Sequence, residues 1–357
     1  MIQAAPTISD SFARLVSEIP ALGMDWHRET LLENSRRNME FQRIREPTIR
    51  DVRPVNGAKV LIVSAGPSLY QRDMLARLKA MRHSLSTYLV AIDGSYVQCL
   101  RAGIVPDFVM TLDPHPTRIV RWFGDPDFEA NSAGDDYFAR QDLDEHFRAD
   151  AAKRNAENFG LVNAFQYVSL VICSTSPINV VLRTSGMPRY WFAPLVDNPH
   201  LKYPMTEVGF SSAKGGFYRE TQKSLTREIA EITGLPSLNT GGTVGTAAVM
   251  FAHCILKAQD IAVIGMDLGY AADTPHERTQ SWNMLKGRKE VADLYPKVQH
   301  PQWGECFTDP TYWHYRNALL SLLKSAGRTL YNCTEGGTLY GPHVQCMKLE
   351  DWLNGSK

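Results

Sequence analysis

Six short segments place small, hydroxylated and acidic residues after apolar runs or just before an apolar helix, where such residues can hold a phosphate, a sugar hydroxyl or a divalent ion. The first is Ser64-Ala65-Gly66-Pro67-Ser68-Leu69. Gly66 lets backbone approach a ligand closely, Pro67 sets the turn, and Ser68 can cap a helix or donate to a phosphate. The segment is neither GxGxxG nor GxxxxGK(S/T), so the usual dinucleotide and P-loop fingerprints are absent. A plain turn with an N-cap explains Gly-Pro-Ser equally well. Next come Asp93-Gly94-Ser95 and Thr111-Leu112-Asp113-Pro114-His115. Each puts an acid beyond an apolar run, suited to a ribose hydroxyl, a metal or a substrate hydroxyl. An Asx turn would use a lone Asp as well, but the recurrence on successive runs favours a site. Asn239-Thr240-Gly241-Gly242-Thr243 opens an apolar helical stretch. Its N–H groups and the helix dipole suit a phosphate or carboxylate, with close helix packing through glycine as the alternative. Gly265-Met266-Asp267-Leu268-Gly269-Tyr270 and Thr334-Glu335-Gly336-Gly337 complete the set. Of the ten histidines, His115, His276 and His314 fall in loops or at helix starts.

The elements that must position these residues alternate. KVLIV from Lys59, YLVAI from Tyr88, FVMTL from Phe108, SLVIC from Ser169, YWFA from Tyr190, DIAVIG from Asp260 and TLYNC from Thr329 read as strands. Helical spacing appears at Met74, Leu75, Leu78 and Met81, around Leu225, Ile229 and Ile232, from Thr243 to Ala258, and from Tyr312 to Ala326. Strands alternating with helices predict an α/β fold, doubly wound, with a mostly parallel Rossmann-like sheet and helices on both faces. The expected organisation is an N-terminal helical extension over 1–55, an α/β domain over 56–345 with an acidic insertion at about 124–160, and a tail over 346–357. In open α/β sheets ligands bind at the carboxyl ends of strands, where all six segments would lie.

Composition narrows the partners. The chain has 357 residues, 44% hydrophobic and 21% charged, which excludes global disorder. Lys plus Arg equals Asp plus Glu, 38 against 38, so no overall cationic field exists for a nucleic acid or an anionic membrane. Residues 124–160 hold ten acids against four bases, so the rest of the chain carries +6, enough for a modest basic cleft. That acidic stretch reads as a surface insertion. The six cysteines are spread without a CxxC pair and suit a reducing compartment. The first residues lack a signal-peptide pattern, and the apolar stretch Thr243 to Ala258 is too short to span a bilayer. A cytoplasmic protein is expected.

Taken in order, IVSAGPSL, AIDGS, GIVPDFVMTLDP, NTGGTVGTAAVMFA, IAVIGMDLGY and YNCTEGGTLYG resemble the MptE-like superfamily from about Lys59 to Gly341. That group includes archaeal 6-hydroxymethylpterin diphosphokinases and bacterial motility-associated factor (Maf) glycosyltransferases. The diphosphokinases show Asp-Leu-Asp-Gly after the third strand, where this sequence has Thr111-Leu112-Asp113-Pro114, lacking one acid and the glycine. The Asp-Pro form is more similar to Maf proteins, although those are longer on both sides of the core. The Maf resemblance implies transfer of a nonulosonic, sialic-like acid from a CMP-sugar to a hydroxyl acceptor such as flagellin Ser or Thr. It implies that Ser64, Gly66, Pro67, Ser68, Asp93, Asn239, Thr240, Gly241, Gly242 and Thr243 bind the nucleotide. Asp113 and Asp267 would orient hydroxyls or hold a divalent ion, Tyr270 would donate to the leaving phosphate, and His276 would act as base. His115, Glu335 and Gly336 would contact substrate. The alternatives are a diphosphokinase using ATP and Mg²⁺, and a non-catalytic nucleotide-binding protein.

Overall fold

The computed structural model describes residues 8–42, 46–81, 87–134, 137, 147–196, 206–207, 225–288 and 291–355. The strands in chain order are Lys59–Val63 (β1), Thr87–Ile92 (β2), Phe108–Thr111 (β3), Ser169–Cys173 (β4), Arg189–Leu195 (β5), Thr206–Glu207 (β6), Ser237–Asn239 (β7), Asp260–Ile264 (β8), Tyr270–Ala271 (β9), Lys297–His300 (β10), Gly304–Phe307 (β11), Leu330–Asn332 (β12) and Val344–Cys346 (β13). Ten form one sheet in the order β13-β12-β8-β1-β2-β3-β4-β5-β7-β6. Every pair in it is parallel except β6 with β7.

Unbroken apolar runs become strands because both faces of a parallel sheet are covered. Alternate residues feed two cores: Leu61, Val63, Leu89 and Leu170 on one face, Val60, Ile62, Val90 and Val171 on the other. The first face receives Leu78, Leu100, Val181 and Ile229 from the helices Met74–Met81, Asp93–Arg101, Ile178–Arg183 and Leu225–Thr233. The second receives Val249, Phe251, Leu319 and Leu322 from the helices Val244–Cys254 and Pro310–Ala326. The protein is therefore a doubly wound α/β fold. β1 lies between β2 and β8, so the order of the sheet reverses there, and a crevice opens at the carboxyl ends of these strands.

The N-terminal residues are not an appendage to this core. Helix α1 (Asp10–Gln42) has 33 residues, a length of roughly 50 Å, and it crosses the carboxyl end of the sheet. The Asn34 side chain donates to the carbonyls of Pro114 (3.2 Å) and Thr175 (2.9 Å), and that of Asn38 to those of Ser174 (2.9 Å) and Ser176 (2.7 Å). Leu31 and Leu32 join the first core. Phe12 and Leu15 join a third, formed with Tyr270, Val298, Phe307 and Trp313 against the three-stranded sheet β10-β11-β9.

The stretch 124–160 belongs to the β3–β4 crossover; of its described acids Asp127, Glu129, Asp150 and Glu157 are exposed, and Asp125 points into the interior. Asp125 is buried and accepts from Asn131 Nδ2 and the Tyr137 hydroxyl, both at 3.0 Å. Within that stretch, residues 135–136 and 138–146 lie outside the described residues. Of the segment set apart as a tail, Cys346 ends β13, and the helix Leu349–Leu353 buries Leu349 and Trp352 in the first core. Arg77 fastens this end, pairing with Glu335 at 2.6 Å and Glu350 at 2.5 Å. All six cysteines are free thiols. No helix among the described residues is long and apolar enough to cross a membrane.

Candidate functional site

The crevice is a cleft of about 820 Å³. Its floor is Ser64 to Pro67 after β1, Asp113 to His115 after β3 and Gly265 to Gly269 after β8. Gly242 to Gly245 form one wall, Tyr312 and Tyr315 another, and His27 of α1 overhangs it. A cavity of about 260 Å³ at the opposite end of the sheet lies beside the C-termini of Val244–Cys254 and Pro310–Ala326. Carbonyl ends of helices disfavour anions, whereas Arg328 and His253 also line that cavity.

The Gly-rich turn is built by its own side chains. Asn239 Oδ1 accepts from the Gly241 N–H at 3.0 Å and Thr240 Oγ1 from the Gly242 N–H at 3.4 Å. Gly242 has φ +85°, and a Cβ there would meet the Tyr315 ring at 2.7 Å. Glycine is needed both for the left-handed backbone and for the ring to lie against it. Thr243 is the N-cap of Val244–Cys254, its Oγ1 accepting from the Thr246 N–H at 3.0 Å. The first-turn residues Val244 and Gly245 line the cleft, and first-turn N–H groups have no carbonyl within their own helix. Ser64 faces them. Its hydroxyl is buried without a hydrogen-bond partner, 3.3 Å from where a Cβ of Gly245 would stand. A buried hydroxyl without a partner costs free energy until a ligand supplies one.

Asp267 lies at the bottom of the cleft but holds loops together. Its Oδ2 accepts from Ser68 Oγ at 2.8 Å and from the Ser68 N–H at 3.3 Å. Gly66 donates its N–H to the Gly265 carbonyl at 2.8 Å, and a Cβ on Gly66 would fall 2.1 Å from Asp267 Oδ2. Burial pushes the Asp267 carboxyl up to about 6. Asp267 is thus a positioning residue for the loop after β1, and the Ser68 hydroxyl, expected at a phosphate, is spent on Asp267.

Asp93 also lies beneath the cleft. Its Oδ2 accepts from Thr111 Oγ1 at 2.9 Å and its Oδ1 from the Gly94 N–H at 2.7 Å. Burial, with the nearby Asp113 charge, pushes its carboxyl up to about 7 from the ordinary 3.8. The folded chain keeps this proton up to about pH 7, whereas an unfolded one releases it near 3.8, so stability from this group falls as pH rises through that window. The loss amounts to about 4 kcal/mol at most. Asp93→Asn keeps an oxygen acceptor for the Gly94 N–H and turns its amide N–H to Thr111 Oγ1, and it is expected to raise the melting temperature at pH 8 and flatten its decline between pH 5 and 8. Asp267 adds a smaller slope of the same sign. Thermal melts of both proteins across that range test this; an unchanged decline in the variant refutes the assignment.

Asp113 and His115 do line the cleft, joined by an Asx turn in which Asp113 Oδ1 accepts from the His115 N–H at 2.7 Å. Four other expectations are corrected. The Tyr270 hydroxyl donates to Asp309 Oδ2 and accepts from the Gln280 N–H, both at 2.8 Å, so its proton, which burial holds on the phenol, is committed to Asp309 and not to a leaving phosphate. His276 stacks on Tyr295 with ring centres 4.1 Å apart, beside the small sheet, and does not line the cleft. Glu335 turns its carboxylate to Arg77 and the Leu349 N–H. Gly336 packs near Asp267 Oδ1 without lining the cleft. His27, Arg118, Tyr312 and Tyr315 line it and were not singled out in the sequence. Arg118 is the arginine or lysine among its described lining residues. It follows Asp113-Pro114-His115-Pro116-Thr117, and a basic residue within one turn of a strand-end acid was the available signal. Among the described residues no group of three or more His, Cys, Asp or Glu gathers as a metal site.

Residues 29–128 match the family described as 6-hydroxymethylpterin diphosphokinase MptE-like. The chain carries an MptE-like segment. This segment supplies β1, β2 and β3, the floor residues Ser64 to Pro67 and Asp113 to His115, and Arg118. The wall from Gly242 to Gly245, Asp267 and the two tyrosines come from the chain beyond it. No curated protein matches the sequence. Among solved structures the chain is similar to a MAf glycosyltransferase from Magnetospirillum magneticum AMB-1, at 16% identity and a TM-score of 0.48. The similarity covers 90% of this chain, which spans 38% of the length of that one.

Proposed function

We propose that the protein is a nucleotide-dependent transferase. The observation that carries this is the unpartnered Ser64 hydroxyl facing Val244 and Gly245 at the start of a long helix, in a cleft at the reversal point of the sheet. An anionic donor phosphate there would receive backbone N–H groups, a hydroxyl and the helix dipole, with Arg118 supplying a full charge nearby. Glycosyl transfer from a CMP-activated nonulosonic acid to a hydroxyl acceptor, such as a flagellin Ser or Thr, is the finer reading. Loss of CMP leaves an oxocarbenium-like sugar, so the departing phosphate must be stabilised and the acceptor proton removed. Asp113 and His115, side by side at the end of β3, would perform the second task, in the role earlier given to His276. The chemistry suits a cytoplasm in which the six thiols stay reduced.

A second reading, ATP-dependent diphosphate transfer to a hydroxymethylpterin, is supported by the description of the family matched at residues 29–128. Magnesium bound with a nucleotide uses one or two carboxylates and the substrate phosphates. Asp113 fits that role, whereas Asp267 is occupied by Ser68. Against it stands Thr111, whose hydroxyl is turned to Asp93 where the diphosphokinase pattern has an acid.

Thermal shift separates the readings. A nucleotide at a hundred times its Kd adds about 2.7 kcal/mol of stability, a rise of several degrees. CMP or CDP alone is expected to give it. A response only to ATP with Mg²⁺ and 6-hydroxymethylpterin would select the second reading, and no response to any nucleotide would refute both.

A further inference from the structure

The cleft opens into a side chamber of about 190 Å³, sharing with it His27, Leu112, Pro114, Gly242 and Tyr315. The chamber's walls are of another kind. Ile19, Pro20 and Leu31 of α1 close one side, and Pro194, Leu195 and Leu225 another. No Asp, Glu, Lys or Arg lines it among the described residues; its polar side chains are Thr175, Thr240, His27, His314 and Tyr315. A phosphate or a sugar carboxylate placed there would lose its hydration and meet no lysine or arginine, only the imidazoles of His27 and His314, and a polyol would leave most hydroxyls unpaired. The phosphate-suited groups, Ser64 and the first turn of Val244–Cys254, lie in the cleft itself. An apolar cavity of about 150 Å³ is large enough for a benzene ring.

We propose that the chamber is a subsite for a compact, uncharged apolar group on the second substrate, about the size of one substituted benzene ring. Its neighbour Tyr315 separates this group from the donor. The proposal deepens the transferase reading and rests on it for the word substrate; the chamber's preference for an apolar group rests on its walls alone. The acceptor hydroxyl would then be carried near a ring or a short branched alkyl chain, with the ring held by burial and the hydroxyl left at Asp113 and His115.

The test uses the full chain and 4-fluorobenzyl alcohol, followed by fluorine NMR with and without CMP. Saturable binding is expected, unaffected by CMP, with 4-fluorobenzoate at least about tenfold weaker because its charge loses hydration where no lysine or arginine stands. Ile19→Trp and Leu195→Phe, which fill the chamber, should each weaken the alcohol by about tenfold or more and leave CMP affinity within about twofold. Contacts from the probe's ring protons to the methyl groups of Leu31 and Leu195 in the unmodified chain report the placement should a filled variant fail to fold. Absence of saturable binding overturns the proposal. So do competition by CMP, which would put the nucleobase there, equal binding of the benzoate, or insensitivity to both fillings. Binding of the alcohol without any nucleotide response would retain the subsite and remove the nucleotide reading; the reverse would do the opposite.

Discussion

Gly337→Ala is expected to destabilise the protein by about 3 kcal/mol or more, the largest loss from a single methyl group that the cleft loops offer. Gly337 has φ +71°, and a Cβ there would fall 2.0 Å from the Asp267 carbonyl oxygen and 2.5 Å from its Cα. Both are backbone atoms, so no rotamer change relieves the overlap. The Asp267 carbonyl is also held, accepting from the Thr338 N–H at 2.8 Å, while Thr338 Oγ1 donates to the Leu268 carbonyl at 2.6 Å. Separating the loops after β8 and β12 breaks those bonds and adds the left-handed strain of a non-glycine residue. Urea denaturation measures the loss. Gly287→Ala is the control, since a Cβ there meets nothing within 4 Å, and it should stay within about 0.5 kcal/mol. If Gly337→Ala melts with the control, the two loops are not packed as described.

Gly245→Val should separate binding from stability in the opposite sense. We expect nucleotide affinity to fall by about a hundredfold, or about 2.7 kcal/mol, with stability changed by less than about 1 kcal/mol. The nearest atom to a new Cβ is the Met266 methyl at 2.9 Å, the end of a flexible side chain, with Ser64 Oγ next at 3.3 Å. Met266 can turn aside at small cost. The added methyl groups then cover the Ser64 hydroxyl and the first-turn N–H groups, where the phosphate is proposed to sit. Calorimetric titration with CMP beside a urea melt reads both quantities. Unchanged affinity would remove the phosphate from the helix start.

These contrasting glycines illustrate what the residues alone could tell. The strands β1, β4 and β8 follow from their apolar runs, and the strand-end position of five of the six polar segments follows from alternation with helices; the Asn239 segment was placed by the helix it opens. Short elements escaped, because the three residues of β7 and the two to four of β9, β10 and β11 are too few for a period to register. The reach of α1 escaped as well. Nothing in its sequence says that Asn34 and Asn38 would find the carbonyls beyond β3 and β4, or that His27 would overhang the cleft.

Within the site, residue type limited the chemistry but could not say which groups were already engaged. Ser64 and Ser68 look interchangeable as phosphate ligands, yet one hydroxyl has no partner and the other is bound to Asp267. Tyr270 and Tyr315 are phenols near the same strand ends, yet Tyr270 is locked to Asp309 and Tyr315 faces the cleft. Local sequence determined the strands, the turns and the helix N-terminus beside Gly242, because backbone geometry and apolar periodicity act over a few residues. Tertiary structure decided which polar groups face the cleft, because hydrogen bonds between loops distant in sequence, such as Ser68 to Asp267 and Glu335 to Arg77, compete for the same side chains.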